Sequence, residues 1–103
     1  MDLSKELKVA ISTGKVEIGY KVSLKALNRK KAKLIVMASN TPENLSSRIK
    51  QIAGTEVPLY IFPGSSWDLG GICGKPYPVT TIAIIDPGES SILQLRGDEP
   101  SQT

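Results

Sequence analysis

The chain contains no histidine and a single cysteine, Cys73. Without histidine, the side chain best suited to move a proton near neutral pH is missing, and so is the commonest metal ligand. One cysteine excludes an internal disulfide and any multi-cysteine zinc site, and it suits a reducing compartment. Aromatic residues number five in 103 positions, so a core has to be built from aliphatic side chains. No apolar run approaches the ~20 residues of a membrane span. Met1-Asp2 leads straight into an amphipathic pattern, so no secretory leader is expected. These absences count against an enzyme and against a membrane protein. What remains, 40% hydrophobic and 22% charged, describes a soluble globular chain. One domain over residues 1–103 is expected, with about 98–103 as a frayed tail.

Charge is scarce in one half. The net of +3 hides an asymmetry between residues 1–53, with 11 Lys/Arg against 4 Asp/Glu, and residues 54–103, with 2 against 6. Five cations fall within nine residues: Lys25, Arg29, Lys30, Lys31 and Lys33. A one-sided basic field is the footprint of a polyanion partner, and its plain alternative is a solvated lysine face.

Helices alternate with strands along the chain. Leu3, Leu7, Ala10 and Ile11 make one stripe of a first helix, with Asp2 placed to cap it and Gly14 to end it in the left-handed conformation. "KVEIG" reads as a short strand. A second helix follows, with Val22, Ala26 and Leu27 inward and Lys21, Lys25 and Asn28 outward. "KLIVMA" is a strand buried on both faces. In "NTPENL", Thr41 is placed as N-cap, Pro42 at the first helical position, and Glu43 where it suits the dipole. Leu45, Ile49 and Ile52 form that helix's stripe, and Gly54 closes it. "VPLYIF" is a strand, and "SSWDLGGICG" is a short helix capped by Ser65 or Ser66 and stopped by its glycines. "VTTIAIID" is a strand, "DPGES" a turn, and "SILQLR" a last strand. The alternation predicts an α/β fold, a small α/β/α sandwich around a mostly buried sheet.

Several stretches carry possible chemistry. "GGICGKP" resembles a phosphate loop but fails it, since only three residues separate Gly70 from Gly74 and Pro76 follows Lys75. Its glycines read as a tight turn between helix and strand. Cys73 reads as a structural thiol. Asp86, before Pro87-Gly88, reads as a turn residue, and Trp67 is expected to be partly buried under a loop. The helix after "KVEI" opens at Gly19-Tyr20-Lys21 with no Ser, Thr, Asp or Asn to cap it. Its free amides go to water or to an anion. Asn40, at the end of the buried strand, can read a base edge or close a local turn. Tyr77, held between Pro76 and Pro78, can pack or can stack on a base. Strand C-terminal ends gather ligand-binding loops in open α/β sheets, which allows Gly19–Lys21 and Asn40 to share a rim, with the basic window adding charge nearby. That set of parts suits RNA recognition better than catalysis.

The segments "TGKVEIGYKVSLKALNRKKAKLIVMASNTP", "VPLYIF", "SSWDLGGICGKPYPVTTIAIID" and "DPGESSIL", in this order, resemble the archaeal and eukaryotic large-subunit ribosomal protein family L-thirty-e. The resemblance covers nearly the whole chain. It implies a kink-turn RNA binder with an α/β/α sandwich and a four-stranded mixed sheet, without catalytic activity, metal or cofactor. It implies RNA contacts by Gly19 and Lys21, a base contact by Asn40, and an extruded nucleotide against Tyr77. In "NRKKAK", where the family often has glycine, Asn28 is expected to supply the turn. The candidate RNA-binding set is Gly19, Tyr20, Lys21, Lys25, Arg29, Lys30, Lys31, Lys33, Asn40, Lys75 and Tyr77. The implied partners are ribosomal RNA and neighbouring ribosomal proteins, for a cytoplasmic chain that is monomeric when free. The alternative is a kink-turn binder outside the ribosome, in RNA modification or messenger autoregulation.

Overall fold

The structure, a computed structural model, describes residues 3–90 and 92. Eight elements alternate: α1 (Leu3–Thr13), β1 (Lys15–Ile18), α2 (Tyr20–Asn28), β2 (Leu34–Ala38), α3 (Glu43–Ala53), β3 (Leu59–Phe62), α4 (Ser66–Ile72) and β4 (Thr81–Asp86). The strands form one mixed sheet in the order β1-β4-β2-β3. β4 runs antiparallel to both β1 and β2, and β3 runs parallel to β2. The strand expected at "SILQLR", the cap expected at Asp2 and the tail at 98–103 lie outside the described residues, apart from Ile92, which is buried.

The core divides by strand alternation. Leu34, Val36 and Ala38 point to one face of the sheet, where they pack with Leu7 and Ala10 of α1 and Leu69 of α4. Ile35 and Met37 point to the other, against Ala26 and Leu27 of α2 and Ile49 and Ala53 of α3. All of β2 is buried because helices cover both faces, which is why "KLIVMA" shows no polar alternation. The fold is the α/β/α sandwich with a four-stranded mixed sheet that the sequence implied.

Four local expectations are corrected. α2 faces the sheet with Ser23, Ala26 and Leu27 rather than with Val22, which is 37% exposed. At ~100° per residue, Tyr20, Ser23, Leu24, Ala26 and Leu27 share one arc, and Val22 falls just outside it. The Ser23 hydroxyl is buried with no hydrogen-bond partner among the described residues. Gly14 is not left-handed. It is glycine because a Cβ there would sit 2.0 Å from the Asp86 carbonyl oxygen, where the turn after β4 crosses the end of α1. Thr41 does not cap α3, which starts one residue later with Pro42 at the N-cap position and no side-chain cap. Its hydroxyl instead donates to the Ala38 carbonyl at 2.7 Å, closing the turn off β2. Asn28 is the last residue of α2, not its turn residue. Lys30 takes that place at φ 58°, with Lys30 N donating to Leu27 O and Lys31 N to Ala26 O. This is a Schellman ending with a lysine where glycine is the usual choice.

Other readings hold. Asp86 accepts from Gly88 N at 2.9 Å and closes the "DPG" turn, and Ser65 caps α4 in a reciprocal box with Asp68. α4 runs through Gly70 and Gly71 rather than stopping at them, and turns at Gly74 with φ 74°.

A side chain in the left-handed region costs about 1 kcal/mol relative to glycine. Lys30→Gly is therefore expected to raise unfolding stability by up to about 1 kcal/mol in a denaturant titration. An unchanged or lower midpoint would show that the turn carries no such strain.

Candidate nucleic-acid interface

Because β1 and β2 both oppose β4, they run parallel to each other, and β3 follows β2. The C-terminal ends of three strands therefore meet the N-terminal end of the fourth on a single rim. Backbone hydrogen bonds tie the rim loops together. Gly19 N donates to Thr81 O at 2.9 Å, Ala38 N to Thr80 O at 2.8 Å, Ser39 N to Gly64 O at 3.1 Å, and Val79 N to Ser66 O at 2.9 Å.

α2 opens on this rim as its sequence suggests. Gly19 holds the N-cap position at φ 125°, a conformation that L side chains rarely adopt, and no side chain caps the helix. Among the described residues, the amides of Tyr20, Lys21 and Val22 have no acceptor. A Cβ on Gly19 would touch only Val22, at 3.6 Å. The glycine is required by backbone conformation rather than by crowding within the chain.

Asn40 does not close a local turn. Its Oδ1 accepts from Ser66 N at 2.8 Å, and its Nδ2 lies 3.4 Å from Ser66 Oγ. The partner is 26 residues away in sequence, so spacing could not reveal it. The bond fixes which side of the amide is oxygen and joins the end of β2 to the start of α4.

The loop before β4 lies against α4. A Cβ on Gly70 would fall 2.2 Å from the Tyr77 carbonyl oxygen, so glycine is what lets this loop seat. Tyr77 is 50% exposed and Lys75 is exposed. The half-buried Cys73 thiol is pushed up to about 11 by burial, against the opposing pull of Lys75. That agrees with a structural rather than reactive thiol. Trp67 is 65% exposed, contrary to expectation. It follows Ser66 in the first turn of α4 and adds an aromatic surface to the rim. The signal was helical spacing, since the buried positions of α4 are Ser66, Leu69 and Gly70 and Trp67 falls outside that stripe.

The structure brings Gly19, Tyr20, Lys21 and Asn40 to the rim and Tyr77 into the loop that returns along α4 to it, while Lys75, whose amide donates to Gly70 O, lies past the C-terminal end of α4. The basic window is not beside them. Arg29 is the C-cap of α2, ten positions beyond Gly19, which at ~1.5 Å each puts it about 15 Å away along the axis. Lys33 N donates to Ile84 O, which places the segment before β2 beside the far end of β4. Among the described residues, no group of three or more His, Cys, Asp or Glu is placed to hold a metal ion, and no helix is long and apolar enough to cross a membrane.

Fold and rim define a class: an open α/β/α sandwich that presents an uncapped helix start, a fixed amide and exposed aromatic rings along one edge of its sheet. Residues 1–94 match the sequence pattern of the ribosomal protein L7Ae/L30e/S12e/Gadd45 family, and the chain belongs to that family. It is 44% identical over 98 residues to large ribosomal subunit protein eL30 of Methanothermobacter thermautotrophicus, covering 94% of this chain and 100% of that one. The eL30 protein of Pyrobaculum islandicum is 43% identical over 98 residues, with 92% and 95% covered. That of Saccharolobus solfataricus is 42% identical over 91 residues, with 87% and 84% covered.

Two measurements follow from this packing. Gly70→Ala is expected to cost about 1–3 kcal/mol of unfolding free energy, since the loop carbonyl must move. Gly71→Ala, with open space around it, should gain about 0.5–1 kcal/mol in the same denaturation series. Cys73 should react with iodoacetamide at pH 8 roughly a hundredfold more slowly than an unhindered thiol of pKa 9.0, speeding up as pH rises toward about 11.

Proposed function

We propose that the chain is a structural component of the large ribosomal subunit that binds ribosomal RNA at this rim, holding a sharply bent, kink-turn-like segment and catalysing nothing. The observation that carries the reading is convergence. Three groups with different chemistries share one edge of the sheet: open amides at Tyr20 to Val22, the Asn40 amide, and the half-exposed Tyr77 ring. The amides and Lys21 suit a phosphate, Asn40 suits a base edge, and Tyr77 suits the face of an unstacked nucleotide. A bent RNA offers all three at once, because bending exposes a base beside closely spaced phosphates. Membership of a ribosomal protein family, and relatives named as large-subunit proteins, support the same reading. Neighbouring ribosomal proteins are the other expected contacts.

The test is titration of the full chain with a kink-turn RNA and with a straight duplex of equal length. Asn40→Ala is expected to weaken kink-turn binding by about 1–3 kcal/mol, the range of a base contact. Since Asn40 also holds Ser66, the unfolding midpoint of the variant is measured alongside. Equal affinity of variant and parent for the kink-turn RNA, in a folded variant, would remove Asn40 from the interface.

A further inference from the structure

Beyond the rim, α2 and the adjoining strands leave a cleft of about 290 Å³. Four cations line it: Lys15, Lys25, Arg29 and Lys31, with Glu17 as its one carboxylate. The exposed Val22, out of place as a core residue, is part of its floor. We propose that this cleft is a second RNA site, one that grips the phosphodiester backbone of a segment other than the nucleotides held at the rim. The proposal rests on the reading that the partner is RNA.

Charge is the first argument. All four are exposed and none is in an ion pair among the described residues; with Glu17 in the same lining, four cations less one carboxylate leave the cleft a net +3. Charges that line one depression add into a common field, which physiological salt screens over ~8 Å.

Shape is the second. The volume is at the bottom of the ~300–1,000 Å³ typical of small-molecule sites, and such sites are mostly apolar. A shallow cleft edged by several cations fits a run of phosphates better than a metabolite.

The third argument is the turn beside it. Arg29, Lys30 and Lys31 make the turn that follows α2, and Lys30 holds a left-handed conformation that glycine would adopt freely. A lysine retained at such a position gives up backbone ease and keeps a charge at the cleft's edge. Lys15 was invisible to a window count, because it lies ten positions before Lys25. Sheet topology brings it in, since β1 begins at the end of the sheet where α2 finishes.

The two sites adjoin. They meet at Val22, whose amide opens on the rim and whose side chain lines the cleft, and from there the cleft runs on to Arg29, about 15 Å from Gly19 along the axis. The chain can therefore hold a bent segment at the rim and a neighbouring stretch of RNA along the cleft.

The experiment uses the full chain saturated with a short kink-turn RNA and titrated with a labelled straight RNA duplex. The expected result is a ternary complex. Its duplex affinity should fall with salt, each phosphate contact contributing about −0.9 to the log–log slope. The combined variant Lys25→Gln, Arg29→Gln, Lys31→Gln should lower duplex affinity by about tenfold or more and flatten the slope by about two to three, leaving kink-turn affinity within about twofold. Displacement of the kink-turn RNA by the duplex would overturn the second site, as would duplex binding that the triple variant leaves unchanged or equal weakening of both RNAs. Failure of the rim reading is separately visible, because it appears as Asn40→Ala without effect on the kink-turn RNA while the cleft variant still loses the duplex.

Discussion

One antiparallel strand organises this molecule. β4 lies between β1 and β2 and runs against both, which forces those two strands, and β3 with them, to end on the same side of the sheet. The carbonyls of Thr80 and Thr81 then act as anchors. One takes the Ala38 amide at the end of β2, and the other takes the Gly19 amide just past the end of β1. Every rim group depends on this arrangement. A sheet with β4 reversed would carry the same strands and the same core and would scatter the loops to opposite ends. The buried aliphatic interior, Leu34 to Ala38 and Ile82 to Ile84, keeps β4 in the middle because strands covered on both faces are the ones that can be wholly apolar.

The helices that start on the rim are finished differently. α4 is closed by its Ser65 and Asp68 box, and its first amide is taken by Asn40. α2 has none of this and begins at a glycine whose backbone only glycine adopts easily. α3 also begins on the rim without a side-chain cap, so an open helix start does not by itself mark where an external acceptor fits. Four orphan amides are normal at any helix start, and what distinguishes α2 is the company it keeps.

Much of this was legible in sequence where the signal is local. The Gly19 start lacks a capping residue, Asp86 precedes Pro87-Gly88, and Ser65 stands three residues before Asp68. Turn and cap chemistry spans only a few residues, so the first two are plain in sequence, while the α4 cap is narrowed to Ser65 or Ser66 and the structure selects Ser65 with Asp68. What failed depended on contacts between distant segments. Val22 outranks Ser23 in hydrophobicity, yet the arc shared by α2's other packed residues turned Ser23 inward. Gly14 looks like a helix terminator and is instead a crossing point for the turn after β4. Thr41 looks like a cap and bonds back to Ala38. The cationic window looked close to Gly19 in sequence, but a helix converts adjacency along the chain into distance along its axis. Asn40 and Ser66 met only through the parallel pairing of β2 with β3, which no short motif encodes.

The bond between Asn40 and Ser66 gives the rim a thermal character. Orienting a free asparagine amide costs rotamer entropy at the moment of recognition. Here that cost falls on folding, because the amide is immobilised by a helix start that exists only when β2, β3 and α4 are assembled. The amide is thus rigid for as long as the sheet is intact and loses its orientation when the sheet opens. Its orientation cannot outlast the pairing of β2 with β3, so the melting temperature of the domain sets an upper bound on the working temperature of the rim.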